Sequence, residues 1–64
     1  MTKKDYELIA ACLGASYKHH LDGFVATAAI NDVRRRLMLE LELDNPRFSK
    51  TEFRTRIQYW FDKH

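Results

Sequence analysis

The sequence predicts an all-α domain of three helices, and three observations carry that reading. Apolar residues recur at helical spacing over most of the chain. Two helix-start patterns and the chain's single proline stand at positions that divide it into three segments. Neither an internal repeat nor a linker divides the 64 residues further.

The first segment opens with Thr2 and Asp5, a capping-box variant. The hydroxyl can accept from the third helical amide, and the carboxylate suits the positive end of the helix. A helix is therefore expected to start at Lys3, with Met1 and Tyr6 flanking the cap as a hydrophobic staple. Tyr6, Ile9, Ala10, Leu13 and Tyr17 form its apolar stripe, which Leu8, Ala11, Cys12 and Ala15 widen. Cys12, inside that stripe, is expected to be a small buried hydrophobe. Gly14 costs about 1 kcal/mol against Ala in a helix interior, so it either permits close packing or weakens the helix near its end.

SYKHHLDG, residues 16–23, has no strong stripe and reads as a connection closed by Asp22 and Gly23. From residue 24 to 43 the expected core face is Ala26, Ile30, Val33, Leu37 and Leu41. The opposite face carries Val25, Ala28, Leu39 and Leu43 towards its ends and Asp32, Arg35 and Arg36 in its middle, leaving apolar patches to be covered. LMLELELD, residues 37–44, alternates as a half-buried strand would. Its Leu, Met and Glu content, with no β-branched residue, makes a long helix the stronger reading and the strand its alternative.

Pro46 lacks an amide hydrogen and drives Asn45 out of the helical region, so the second helix should end near Asp44 or Asn45. Ser49 and Glu52 then form a capping box for a third helix, with Phe48 and Phe53 as its staple. Phe53, Ile57, Trp60 and Phe61 continue one stripe, and the third helix is expected to cross the second after the turn. A domain of about 60 residues buries only about 60% of its unfolded surface, so its core is marginal. Excess apolar surface on the first two helices predicts a homodimer or an obligate partner.

Cys12 is the only cysteine, which excludes an internal disulfide and predicts a reducing, cytoplasmic setting. MTKKDYELIA reads as neither signal peptide nor membrane span, because Asp5 and Glu7 interrupt it. The net charge of +2 rules against an acidic mimic of DNA. Cys12, His19, His20 and His64 are the conceivable metal ligands. Adjacent histidines diverge by about 100° on a helix, and no CxxC or HxxxH spacing occurs, so neither metal nor cofactor is expected. No nucleophile, base and orienting group can be placed together, so the chain is not expected to be an enzyme.

The turn Asn45, Pro46, Arg47, Phe48, with capping Ser49 and with Phe53 five residues beyond the first phenylalanine, joins the DYELIA stretch at Asp5 to Ala10 in a resemblance covering under half the chain. It resembles a group of short, largely uncharacterised open reading frames of bacteriophages and bacterial mobile elements that share an NPRF turn. The tail RTRIQYWFDKH departs from that pattern. The resemblance implies a small cytoplasmic protein of a bacterial host that binds and redirects a larger host or phage protein complex, an anti-CRISPR-like inhibitor of host defence being one form. The contact surface expected from the residues is Arg47, Lys50, Arg54, Arg56, Tyr59 and Trp60. Tyr59 and Trp60 cannot both point inward from one face, so one of them should be an exposed anchor. The alternative is a helical nucleic-acid-binding module using Arg34, Arg35 and Arg36 with the basic residues of the third helix.

Overall fold

A computed structural model of the chain describes residues 2–63. The described residues form three α-helices, α1 (Lys3–His19), α2 (Phe24–Asp44) and α3 (Lys50–Lys63), with no strand. Residues 37–44 are helical, as their strong helix formers favour. The long dimension, 34 Å, matches the 21 residues of α2, which span about 32 Å at 1.5 Å per residue.

Each helix boundary has a local cause. Thr2 and Asp5 form a complete capping box: Asp5 N donates to Thr2 Oγ1 (3.3 Å) and Thr2 N donates to Asp5 Oδ2 (3.0 Å). Met1, the other half of the expected staple with Tyr6, lies outside the described residues. After Asp44 the Asn45 side chain takes over, its Oδ1 accepting from Arg47 N (3.1 Å) and its Nδ2 donating to the Tyr6 hydroxyl (3.3 Å). Glu52 N donates to Ser49 Oγ (3.1 Å), which caps α3. The Phe48 and Phe53 rings meet at 5.4 Å, as the staple requires, and Phe48 also packs on Tyr6 at 5.3 Å. The proline turn is thereby stitched to α1 as well as to α3.

The core is Ala10 and Leu13 from α1, Met38 and Leu41 from α2, and Phe53 and Ile57 from α3. Four expectations need correction. First, α3 lies chiefly along α1, and its backbone approaches that of α2 much less closely, the two meeting through core side chains and the Lys50–Glu42 ion pair. The small residues Ala10 and Gly14 let the two backbones approach, and a Cβ on Gly14 would lie 2.7 Å from Trp60 Cβ. Gly14 thus serves close packing. Second, α1 runs on to His19, which shortens the connection to residues 20–23. Tyr17 holds that last turn in place, donating from its hydroxyl to Asn31 Oδ1 on α2 (2.6 Å). Third, α2 turns Met38 into the core and leaves Val33 half exposed, because the contact with α1 falls on the side of Asn31 and Met38. Fourth, Cys12 is exposed, standing about 200° round α1 from Ala10.

The apolar outer face of α2 is present as expected. Val25, Leu39 and Leu43 are 80%, 50% and 78% exposed. No helix among the described residues is long and apolar enough to cross a membrane.

Candidate partner-binding groove

The residues of the expected contact surface fall on two flanks of α3. At about 100° per residue, Arg56, Tyr59 and Trp60 lie on one side of the Phe53 and Ile57 core line, and Lys50 and Arg54 lie on the other. One surface cannot hold all six.

On the first flank, the N-terminal half of α1, the proline turn and α3 enclose an open groove of about 1220 Å³. Arg47, Arg56 and Trp60 line it, together with Lys3, Lys4, Tyr6, Glu7, Leu8, Phe48 and Phe53. Lys4 and Arg47 are exposed and form no ion pair among the described residues. Leu8 is 58% exposed on the α1 wall. Aromatic rings and three cations that form no ion pair among the described residues, Lys3, Lys4 and Arg47, thus share one concave surface.

Glu7 holds this groove together. Its carboxylate accepts from Arg56 Nε (3.0 Å) and from the Trp60 indole Nε1 (2.8 Å), and it forms an ion pair with the Arg56 guanidinium. The Arg56 hydrogen bonds first and the Trp60 hydrogen bond second keep the Glu7 carboxyl below its usual pKa, and the pair raises that of Arg56. Arg56 also lies over the Tyr59 ring at 4.3 Å, and Lys63 sits 5.5 Å from the same ring. Arg56 and Trp60 are therefore committed to the α1–α3 junction. Tyr59, 42% exposed, is the more open of the two neighbouring aromatic residues.

On the second flank, Lys50 and Arg54 share a smaller depression of about 350 Å³ with Arg34 and Arg35 of α2. Two of its four cations, Arg35 and Lys50, form ion pairs. Arg35 and Arg36 both pair with Asp32 at 2.9 Å, which keeps the Asp32 carboxyl below its usual pKa, and Lys50 pairs with Glu42 at 3.5 Å. Arg34 is turned partly inward. The arginine triplet thus fans around α2 instead of forming one patch.

Sequence reasoning missed the α1 wall, because Lys3, Lys4 and Leu8 gain their meaning only when α3 docks beside them. Glu7 had no readable signal, since its partners lie 49 and 53 positions away. Among the described residues no three His, Cys, Asp or Glu side chains gather as a metal site. His64 lies outside those residues. No family model, curated protein or solved structure matches the chain.

The Glu7 clamp gives a pH prediction. A carboxyl whose folded pKa is depressed contributes stability above its ordinary value, near 4.5 for Glu, and loses that contribution as pH falls through the folded value. Asp5 and Asp32 shift in the same direction, so stability should fall with acid below about pH 4.5. Glu7→Gln should cost about 1 kcal/mol at neutral pH, since the pair is only half buried, and the difference from wild type should vanish in acid. Denaturant titrations across pH check this.

Proposed function

We propose that the chain is a non-enzymatic accessory protein of a bacteriophage or bacterial mobile element. In this reading it acts in the cytoplasm of the host as a homodimer that binds a host or phage protein complex, with an anti-CRISPR-like inhibitor of host defence as the particular case. The groove between α1 and α3 is the observation that supports a protein target best. Tyr6 and Phe48 rings on its wall, with Lys4 and Arg47 uncommitted at its rim, suit an acidic protein segment carrying one apolar anchor.

The rival nucleic-acid reading draws on Arg34, Arg35, Lys50 and Arg54 around the smaller depression. Asp32 and Glu42 already pair with Arg35 and Lys50 there, which leaves Arg34 and Arg54 as the cations for phosphate.

The test is a tagged pull-down from bacterial lysate with and without nuclease, using wild type and a Lys4→Glu, Arg47→Glu variant. Both positions are exposed, so circular dichroism of the variant should match wild type. The expected result is one protein complex retained after nuclease by wild type and lost by the variant. Loss of all captured material on nuclease treatment would overturn the reading in favour of nucleic acid, where binding should also weaken steeply with salt.

A further inference from the structure

The outer face of α2 lies opposite its core side. Met38 and Leu41 point towards α1 and α3, whereas Val25, Leu39 and Leu43 point to solvent. About the midpoint of the helix this outer face has a two-fold symmetric pattern: Val25 and Leu43 are equidistant from residue 34, as are Ala29 and Leu39, and Asp32 and Arg36. At 100° per residue all six fall within about 40° of one line along the helix. In an isologous antiparallel contact, residue i meets residue j and j meets i. The pattern therefore describes a surface complementary to itself.

We propose that α2 docks antiparallel on α2 of a second copy of this chain, with Val25 against Leu43 of the partner subunit and Asp32 against Arg36 of the partner subunit. The apolar pairs close both ends of the contact, and two symmetric ion pairs close its centre. Asp32 and Arg36 have side chains 41% and 76% exposed, so both are accessible to a partner as well as to each other.

Charge also selects the register. Sliding the partner by one turn in one direction sets Asp32 against its own copy, and sliding it by one turn in the other sets Arg36 against its own copy and Asp32 against Glu40. Both slips place like charges together, which disfavours them. In the proposed register no two like charges face each other, and the only residue on the symmetry point, Arg34, is on the side away from the contact. The contact covers the apolar face that this small core leaves open, and it leaves the α1–α3 groove free on each copy.

This inference deepens the reading of the chain as a self-associating binding protein but does not depend on its target, so it is tested on the purified chain alone. In a Cys12→Ser background, which removes the exposed native thiol, one chain carries Val25→Cys and another carries Leu43→Cys. An equimolar mixture should form a disulfide-linked dimer on mild oxidation, and neither chain should do so alone, because antiparallel pairing holds like positions about 27 Å apart. Sedimentation equilibrium of the wild-type chain should show a monomer–dimer equilibrium. Val25→Glu should abolish the dimer with unchanged helicity, since Val25 is 80% exposed within one copy. Cross-linking of either chain by itself, no cross-link in the mixture, or a monomeric mass at every concentration would each overturn the proposal.

Discussion

Gly14→Ala is expected to destabilise the protein, although helix propensity alone favours Ala over Gly by about 1 kcal/mol. The new Cβ would stand 2.7 Å from Trp60 Cβ and 2.8 Å from both the Ile57 carbonyl oxygen and the Phe61 amide nitrogen. Non-bonded carbons prefer a separation of about 3.5–4.0 Å. Two of the three obstructing atoms belong to the backbone of α3, so no single rotamer change relieves the clash, and α3 must back away from α1. Such overpacking costs about 1–3 kcal/mol. The upper part of that range applies, because the same displacement lengthens the hydrogen bonds from Arg56 and Trp60 to Glu7. Offset by the helix-propensity gain of about 1 kcal/mol, the net loss is about 2 kcal/mol, which in a domain of this size lowers the melting temperature by roughly 10 °C. Thermal melts by circular dichroism measure it, and a variant melting above wild type would show that α1 and α3 do not approach this closely.

The features legible in the sequence were those written in short stretches. Thr2 with Asp5, Pro46, and Ser49 with Phe48 and Phe53 each act within a few positions, and each marked its helix end correctly. The outer apolar face of α2 was legible for a similar reason, since periodicity alone separates Val25, Leu39 and Leu43 from Leu37 and Leu41. The pairing of helices was not legible. Whether α3 meets α1 or α2 depends on how closely two backbones can approach, and a lone glycine such as Gly14 is as consistent with a weak point as with a close crossing. Assigning Val33 or Met38 to the core depends on a rotation of α2 that the contact between Tyr17 and Asn31 fixes, and that contact joins residues 14 positions apart. The candidate site divided for the same reason. Arg47, Arg56 and Trp60 were read together with Lys50 and Arg54 because they are close in sequence, but the core line of α3 runs between the two sets. A cluster of basic residues on one helix says little about a surface until the buried side of that helix is known.

Trp60→Ala should cost about 2–3 kcal/mol, while Tyr59→Ala should stay within about 1 kcal/mol of wild type. Replacing a buried aromatic residue by Ala costs about 3–5 kcal/mol, and Trp60 is only partly buried, which sets the lower figure. Its ring packs on the core, its Cβ faces Gly14, and its indole N–H donates to Glu7, so truncation removes contacts on three sides of the α1–α3 junction. Tyr59, by contrast, offers its ring to Arg56 and Lys63 at the surface, and the Arg56 pairing with Glu7 survives without it. A stability of about 3–10 kcal/mol is the range for a chain of this length, so Trp60→Ala leaves little in reserve and loosens the groove wall. Trp60→Phe separates the contributions. It keeps most of the packing and removes the donor to Glu7, so it should cost about 1 kcal/mol, and the cost should shrink when Glu7→Gln has already replaced the charged acceptor by a neutral, weaker one. Urea denaturation followed by circular dichroism measures the four single variants and the Trp60→Phe, Glu7→Gln double variant on one scale. Additive losses from Trp60→Phe and Glu7→Gln would mean that the indole and the carboxylate do not act together. A Trp60→Ala chain as stable as wild type would take the residue out of the junction and return it to the contact surface.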